Sequence, residues 1–149
     1  VQWGDVVLYQ FFLSIGITPK KSLTIRKIVV PEKYFFDFLR GVVDGDGSFY
    51  SYYDPRWRSS FMFYLSVASA SPHFIRWIRA ELKSRLGVYG HVTKSRQGIT
   101  RQLKYAKAEA FKIIKKMYYS TTVVCLSRKK EKIFEALKTD KLKKNARVV

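Results

Sequence analysis

Acid is scarce in this chain: 11 Asp and Glu stand against 29 Lys and Arg over 149 residues, a formal net charge of +18. Cysteine is nearly absent as well, and a lone Cys125 forms no disulfide within the chain. Only two histidines occur, His73 and His91, and neither they nor the cysteine have zinc-ligand spacing, so any metal must be held by oxygen. No stretch approaches the roughly 20 apolar residues of a spanning helix, and no signal-peptide pattern opens the sequence. Together these absences predict a soluble, intracellular protein, whether of a prokaryotic cytoplasm or an organelle. Internal repeats and low-complexity segments are absent too.

What remains is an apolar fraction of 47%, enough for one compact domain with a real core. A charge of +18 opposes compaction unless a polyanion offsets it, and nucleic acid is the commonest such partner. A membrane surface is not expected as a partner.

From Asp5 to Ile15 the sequence is strongly apolar and stops at Gly16, which predicts a short helix followed by the linker "GITPKKSLTIRK". Pro31 and Glu32 then suit a helix start. Phe35, Phe38, Leu39, Val42 and Val43 recur at helical spacing, and Gly45 and Gly47 end the run. This helix closes on Asp44 and Asp46, where the partial negative charge of its C-terminus disfavours carboxylates. A hard divalent cation reverses that penalty, because it takes carboxylate and carbonyl oxygens together.

Period-two alternation follows. Phe49, Ser51, Phe61, Phe63, Leu65 and Val67 fall on one face, and Ser48, Tyr50, Tyr52, Ser60, Met62, Tyr64 and Ser66 on the other, with "YDPRWRS" turning the hairpin. Ser71 and Pro72 open a helix that runs to Gly87. A second hairpin is expected from about Gly90 to Ser95 and Ile99 to Tyr105, turning at "RQG", and two more helices follow at "AKAEAFKIIKKMYY" and "SRKKEKIFEALK". The expected organisation is an N-terminal helix and linker over 1–30, an α+β domain over 31–138, and a basic, frayed tail over 139–149. Four strands in two hairpins, covered on one face by helices, leave a polar, aromatic and basic face that can enter the major groove. An ordinary solvated sheet surface has the same pattern.

The stretch "FLRGVVDGDGSF", followed by hairpin, helix, hairpin and helices, resembles the LAGLIDADG homing endonucleases. The nine-residue match runs from Leu39 to Gly47 and departs from the signature chiefly at Arg40, Val42, Val43 and Gly45. "GITPKKS", "VPEKYFFDFLRG" and "LSRKKEK" extend the likeness over nearly the whole chain. The resemblance implies the αββαββα fold, with a four-stranded antiparallel DNA-binding sheet and two motif helices packed side by side. With one motif present, it implies a homodimer joined through Leu39, Gly41, Val42 and Gly45. It also implies an intron-encoded endonuclease that cuts both strands of a long, partly palindromic duplex site and leaves short 3′ overhangs.

By the same resemblance Asp46, with the carbonyl of Gly45, holds Mg²⁺ or Mn²⁺, while Ca²⁺ binds without supporting cleavage. Asp44 takes a structural or capping role. Lys129 matches a basic residue near the scissile phosphate, with Arg128 and Lys130 as alternative matches, although "RKKEK" also suits a solvated helix face. Ser69 aligns with a polar position of the active-site water network and equally suits a turn, and His73 suits a helix surface better than a general base. Base recognition falls to Ser48, Tyr50, Tyr52, Arg56, Arg58, Ser60, Tyr64 and Ser66 in the first hairpin, and to His91, Thr93, Ser95, Arg96, Thr100, Gln102 and Lys104 in the second. Arg and Gln suit bidentate base contacts, and the tyrosines suit sugars or thymine methyls.

Three other readings stay open. The chain can be the C-terminal half of a two-motif monomer, with residues 1–30 ending the first half. It can be a maturase that binds intron RNA on the same sheet, or a noncatalytic DNA-binding regulator. An intact Asp46 argues against the last, since an unused acid beside phosphate is a liability.

Overall fold

The structure, a computed structural model, describes residues 4–57, 60–94 and 98–145, with side chains described as far as Leu142. Helix α1 spans Val6–Ser14, and the Asp5 carboxylate caps it by accepting the Leu8 N–H at 2.9 Å. Gly16 turns the chain at φ +94°, with the Lys27 carbonyl 3.0 Å from where a Cβ would stand, so only glycine serves there. No residue of α1 is buried. The linker behaves differently: Ile28 is in the core, and Ile15, Ile17, Ile25 and Val30 pack against it. Residues 15–30 thus pack onto the unit that was expected to begin at residue 31.

A single 3₁₀ turn, Glu32–Tyr34, leads into α2, Phe35–Asp46, which buries Phe35, Leu39 and Val43 at the spacing the sequence predicts. Strand β1, Gly47–Tyr53, starts at the very next residue. A Cβ on Gly47 would lie 2.6 Å from the Val43 backbone, so the last glycine of the motif is required by the abruptness of this junction.

Strands β2 (Phe61–Ser69), β3 (His91–Lys94) and β4 (Arg101–Ala106) complete an antiparallel sheet of order β1-β2-β4-β3. Ser48 pairs with Ser66, Tyr50 with Tyr64 and Tyr52 with Met62, so the two faces divide as the alternation predicts. Helices α3 (Pro72–Leu86) and α4 (Lys107–Met117) cover the apolar face, and Phe63, Leu65, Ile78, Leu103 and Ile113 are sealed between the layers. Each such side chain contributes about 1.5–3 kcal/mol by leaving water. The architecture is the expected α+β αββαββα order, followed by α5, Ser127–Asn145.

The extent of α5 corrects one expectation. The stretch from Thr139 to Asn145, assigned to a frayed tail, is helical. Ile133 and Ala136 are buried beneath this helix, and Asp140 is held by an ion pair with Lys107 of α4.

Candidate active site and nucleic-acid interface

The end of α2 and the start of α5 meet. Lys129 donates to the carbonyls of Val43 at 2.7 Å, Asp44 at 2.8 Å and Gly47 at 2.7 Å. These are all three protons of its ammonium. In the other direction the Asp44 carboxylate accepts the backbone N–H of Leu126 at 2.9 Å. Leu126 is where α5 begins, since its carbonyl receives the N–H groups of Lys129 and Lys130. A carboxylate at the C-terminus of α2 and a lysine in the first turn of α5 are each unfavourable to their own helix and favourable to the other.

Burial, reinforced by the Arg128 guanidinium, holds the Lys129 pKa below the ordinary lysine value, against the opposing pull of Asp44 and Asp46. The second Asp44 oxygen and the Tyr118 hydroxyl are buried without a hydrogen-bond partner among the described residues. Burial first, then the Asp44 charge, push the Tyr118 phenol up to about 12.

Asp46, the last residue of α2, is exposed and makes no hydrogen bond or ion pair among the described residues. It borders a cleft of about 480 Å³ whose walls include Phe38, Val42, Ser69 and Thr100. No cluster of three metal-ligating side chains exists among the described residues, and Asp44 is committed to Leu126, which leaves Asp46 as the one uncommitted carboxylate at the end of α2. That donor set fits Mg²⁺, which binds through one or two carboxylates and completes its shell with water and substrate phosphate. Gly45, whose carbonyl is the expected co-ligand, is not among the carbonyls that Lys129 takes.

Other expected residues are placed as follows. The Ser69 hydroxyl accepts the Ser71 N–H at 3.1 Å, a turn just before α3, so it borders the Asp46 cleft while holding local structure. Lys129, with its protons on three carbonyls, has none left for a phosphate. Arg128 is exposed, and Lys130 donates to the Thr121 carbonyl at 2.7 Å.

The outer face of α2 is open. A Cβ added at Gly41 or Gly45 would meet nothing within 4 Å, and Phe38 and Val42 beside them are half-buried. Leu39 requires correction as an interface residue: it is 1% exposed and belongs to this chain's own core. Arg40, which replaces a small residue of the signature, is also buried, donating to the carbonyls of Val124 at 2.9 Å and Met117 at 2.5 Å and to Asp37 at 2.6 Å. It ties the Met117–Val124 loop to α2, a role that an arginine one residue from a buried leucine signals only by its position.

On the polar face of the sheet Tyr50, Tyr52 and Tyr64 stack with planes 5–16° apart and centroids 5.2–6.4 Å apart. Ser48 and Ser66 share a 2.7 Å hydrogen bond, and the Gln102 amide donates to Ser66 at 3.1 Å. Ser66 needs correction as a base contact, because it is 1% exposed beneath these neighbours. Arg56 sits in the hairpin turn against Asp54. Ser60 is half-buried, His91 and Thr100 are exposed, and Thr93 and Lys104 are half-buried on the strands. Arg58, Ser95 and Arg96 lie outside the described residues.

No protein-family profile and no curated protein matches the sequence. Solved structures do match the fold. The I-SmaMI LAGLIDADG homing endonuclease bound to cleaved DNA superposes with a TM-score of 0.58 at 17% identity, over 99% of this chain and 47% of that one. Its K262A mutant gives 0.54 at 18% identity, over 95% and 48%. The archaeal intron-encoded homing endonuclease I-Vdi141I complexed with DNA gives 0.46 at 18% identity, over 63% and 60%. The chain spans about half the length of I-SmaMI.

Proposed function

We propose that this chain, which has the LAGLIDADG homing-endonuclease fold, is a site-specific DNA endonuclease whose active centre forms when the α2 helices of two copies pack together. One observation carries this reading: Asp46 is exposed and unpaired at the end of a helix whose outer face, Gly41 and Gly45, has no side chains to keep a second helix away. Pairing two such helices places an Asp46 from each copy near a common axis.

The chain's own residues divide the work. Asp46 of each copy, with the Gly45 carbonyl, would hold a divalent cation, Mg²⁺ by the chemistry of the donors. When bound, that cation supplies Lewis-acid polarisation of the scissile phosphate and a water of lowered pKa. Lys129 holds the last turn of α2 in place, so that Asp46 is presented at a fixed position. The polar sheet face lies against the major groove and orients the duplex, while the excess of lysine and arginine neutralises phosphates. A partly palindromic target follows from two symmetric centres, and short 3′ overhangs are what the family resemblance implies.

The test is to incubate the chain with a randomised duplex DNA library and Mg²⁺, sequence the ends, and measure the solution mass in parallel. Enriched, partly palindromic sites cut by a dimer, and not by Asp46→Asn although it binds the same sites, support the proposal. Binding lost together with cutting in Asp46→Asn makes that acid structural and overturns its role. A monomer that binds DNA without cutting replaces the homodimer by a half of a two-motif enzyme, and preference for folded RNA over duplex DNA replaces the nuclease by a maturase.

A further inference from the structure

The polar face of the sheet is unevenly organised. At the β1–β2 end the tyrosines spend their ring faces on each other, with the Tyr50 and Tyr64 centroids 5.2 Å apart. Arg56 in the turn is engaged with Asp54. At the centre, where β2 meets β4, a hydrogen-bonded chain runs across three strands. Ser48 of β1 shares its hydroxyl with Ser66 of β2 at 2.7 Å, and Ser66 accepts from the Gln102 amide of β4 at 3.1 Å.

The pairing explains how Gln102 reaches its anchor. Its direct neighbours across the sheet are Ala68 and Thr93, while Ser66 faces Lys104. The Gln102 side chain therefore leans diagonally by two residues, over a position occupied only by the methyl of Ala68. Ser66, 1% exposed, is roofed by this arrangement. A glutamine amide free on a surface samples several rotamers, whereas this one is tethered through one N–H.

Tethering leaves a donor and an acceptor on the same planar group. The second Nε2–H and the Oε1 of Gln102 remain for a ligand, and a donor beside an acceptor complements the N7 and N6–H₂ edge of adenine. Among the described residues of this face no other side-chain amide is present. We propose that Gln102 is a pre-positioned adenine reader, and that buried Ser66, itself oriented by Ser48, is the positioning residue that fixes it. This rests on the reading that the sheet face binds duplex DNA, and deepens it by naming a base and the device that selects it.

The experiment selects bound sequences from a randomised duplex library without Mg²⁺, comparing the full parent chain with Gln102→Ala, Gln102→Glu and Ser66→Ala. Affinity for random duplex and the thermal midpoint are measured on each. The parent is expected to favour adenine by about tenfold at one position of each half-site. Gln102→Ala reduces that preference to about twofold or less, and Gln102→Glu, which only accepts, moves it towards cytosine. Ser66→Ala gives an intermediate preference at the same position and a modestly lower thermal midpoint, because its buried hydrogen bonds are lost, while the protein stays folded at the temperature of the selection.

A parent that selects sites while Gln102→Ala selects the same ones overturns the reader and leaves the DNA-binding reading standing. An unaltered preference in Ser66→Ala overturns the positioning role. A parent that binds no duplex DNA overturns the reading itself and this inference with it.

Discussion

Asp44 and Lys129 complete each other's helices. The Asp44 carboxylate accepts the N–H of Leu126 at the start of α5, and the Lys129 ammonium closes on three carbonyls at the end of α2. Removing either takes a charge-assisted hydrogen-bond partner from backbone groups at a helix end, so Asp44→Ala and Lys129→Met should each destabilise the chain by about 0.5–2 kcal/mol. The two residues share one junction, so their effects should not add. A double-mutant cycle from urea unfolding is expected to give a coupling of at least about 0.5 kcal/mol. Strict additivity would show that the helix ends are held independently.

The glycines of the motif separate the needs of the single chain from those of a pair. A Cβ at Gly41 or Gly45 meets nothing within 4 Å, and both positions are helical. Gly41→Ala and Gly45→Ala should therefore stabilise the isolated chain by up to about 1 kcal/mol. If two α2 helices approach there, the same substitutions weaken assembly and cutting. Sedimentation and unfolding on one preparation check both halves, and a variant that is more stable and equally active would remove the helix pair.

A net charge of +18 should appear in binding. Log affinity for duplex DNA is expected to fall linearly with log salt, with a slope of about −0.9 per phosphate neutralised. Lys104→Ala should reduce that slope by about 1 if the lysine touches phosphate. Titrations at several salt concentrations measure it, and a flat dependence would leave the charge unexplained by nucleic acid.

Alkali should find Tyr118. Its phenol is raised to about 12 in the folded chain, above the ordinary value of 10.0, so the unfolded chain releases this proton first. The contribution is intact below pH 10 and lost as pH rises towards 12. Across that window the loss is at most about 1.4 kcal/mol per pH unit from this one group. The thermal midpoint of the parent should fall relative to that of Tyr118→Phe as pH climbs through the window. Parallel curves would mean that Tyr118 does not titrate differently on unfolding.

Some of this was legible in the sequence because the physics is local. Alternation over Ser48–Tyr52 and Phe61–Val67 sets the strand faces, since a one-residue slip would turn Phe63 and Leu65 outwards. The motif helix was legible in outline only. It carries apolar residues on more than one side, and periodicity does not tell Leu39, which is sealed in the core, from Phe38 and Val42, which border the cleft. The partners of Lys129 were hidden for a different reason. They are backbone carbonyls more than 80 residues away, and carbonyls leave no trace in side-chain identity. Ser66 followed its strand's alternation faithfully, but the roof over it belongs to Gln102 on another strand.

The helix-to-strand junction at Gly47 has a consequence for altering what the protein recognises. Asp46 ends α2 and Ser48 is the second residue of β1, with Lys129 clamped on the Gly47 carbonyl between them. If Asp46 cuts and the sheet face reads, blade and nearest ruler mark are parts of one piece. Rewriting the ruler beside the blade, at Ser48, shifts both together. Tyr52 stands five residues along β1 and Thr93 on β3 at the opposite edge of the sheet, where the lettering can be changed and the edge left where it was.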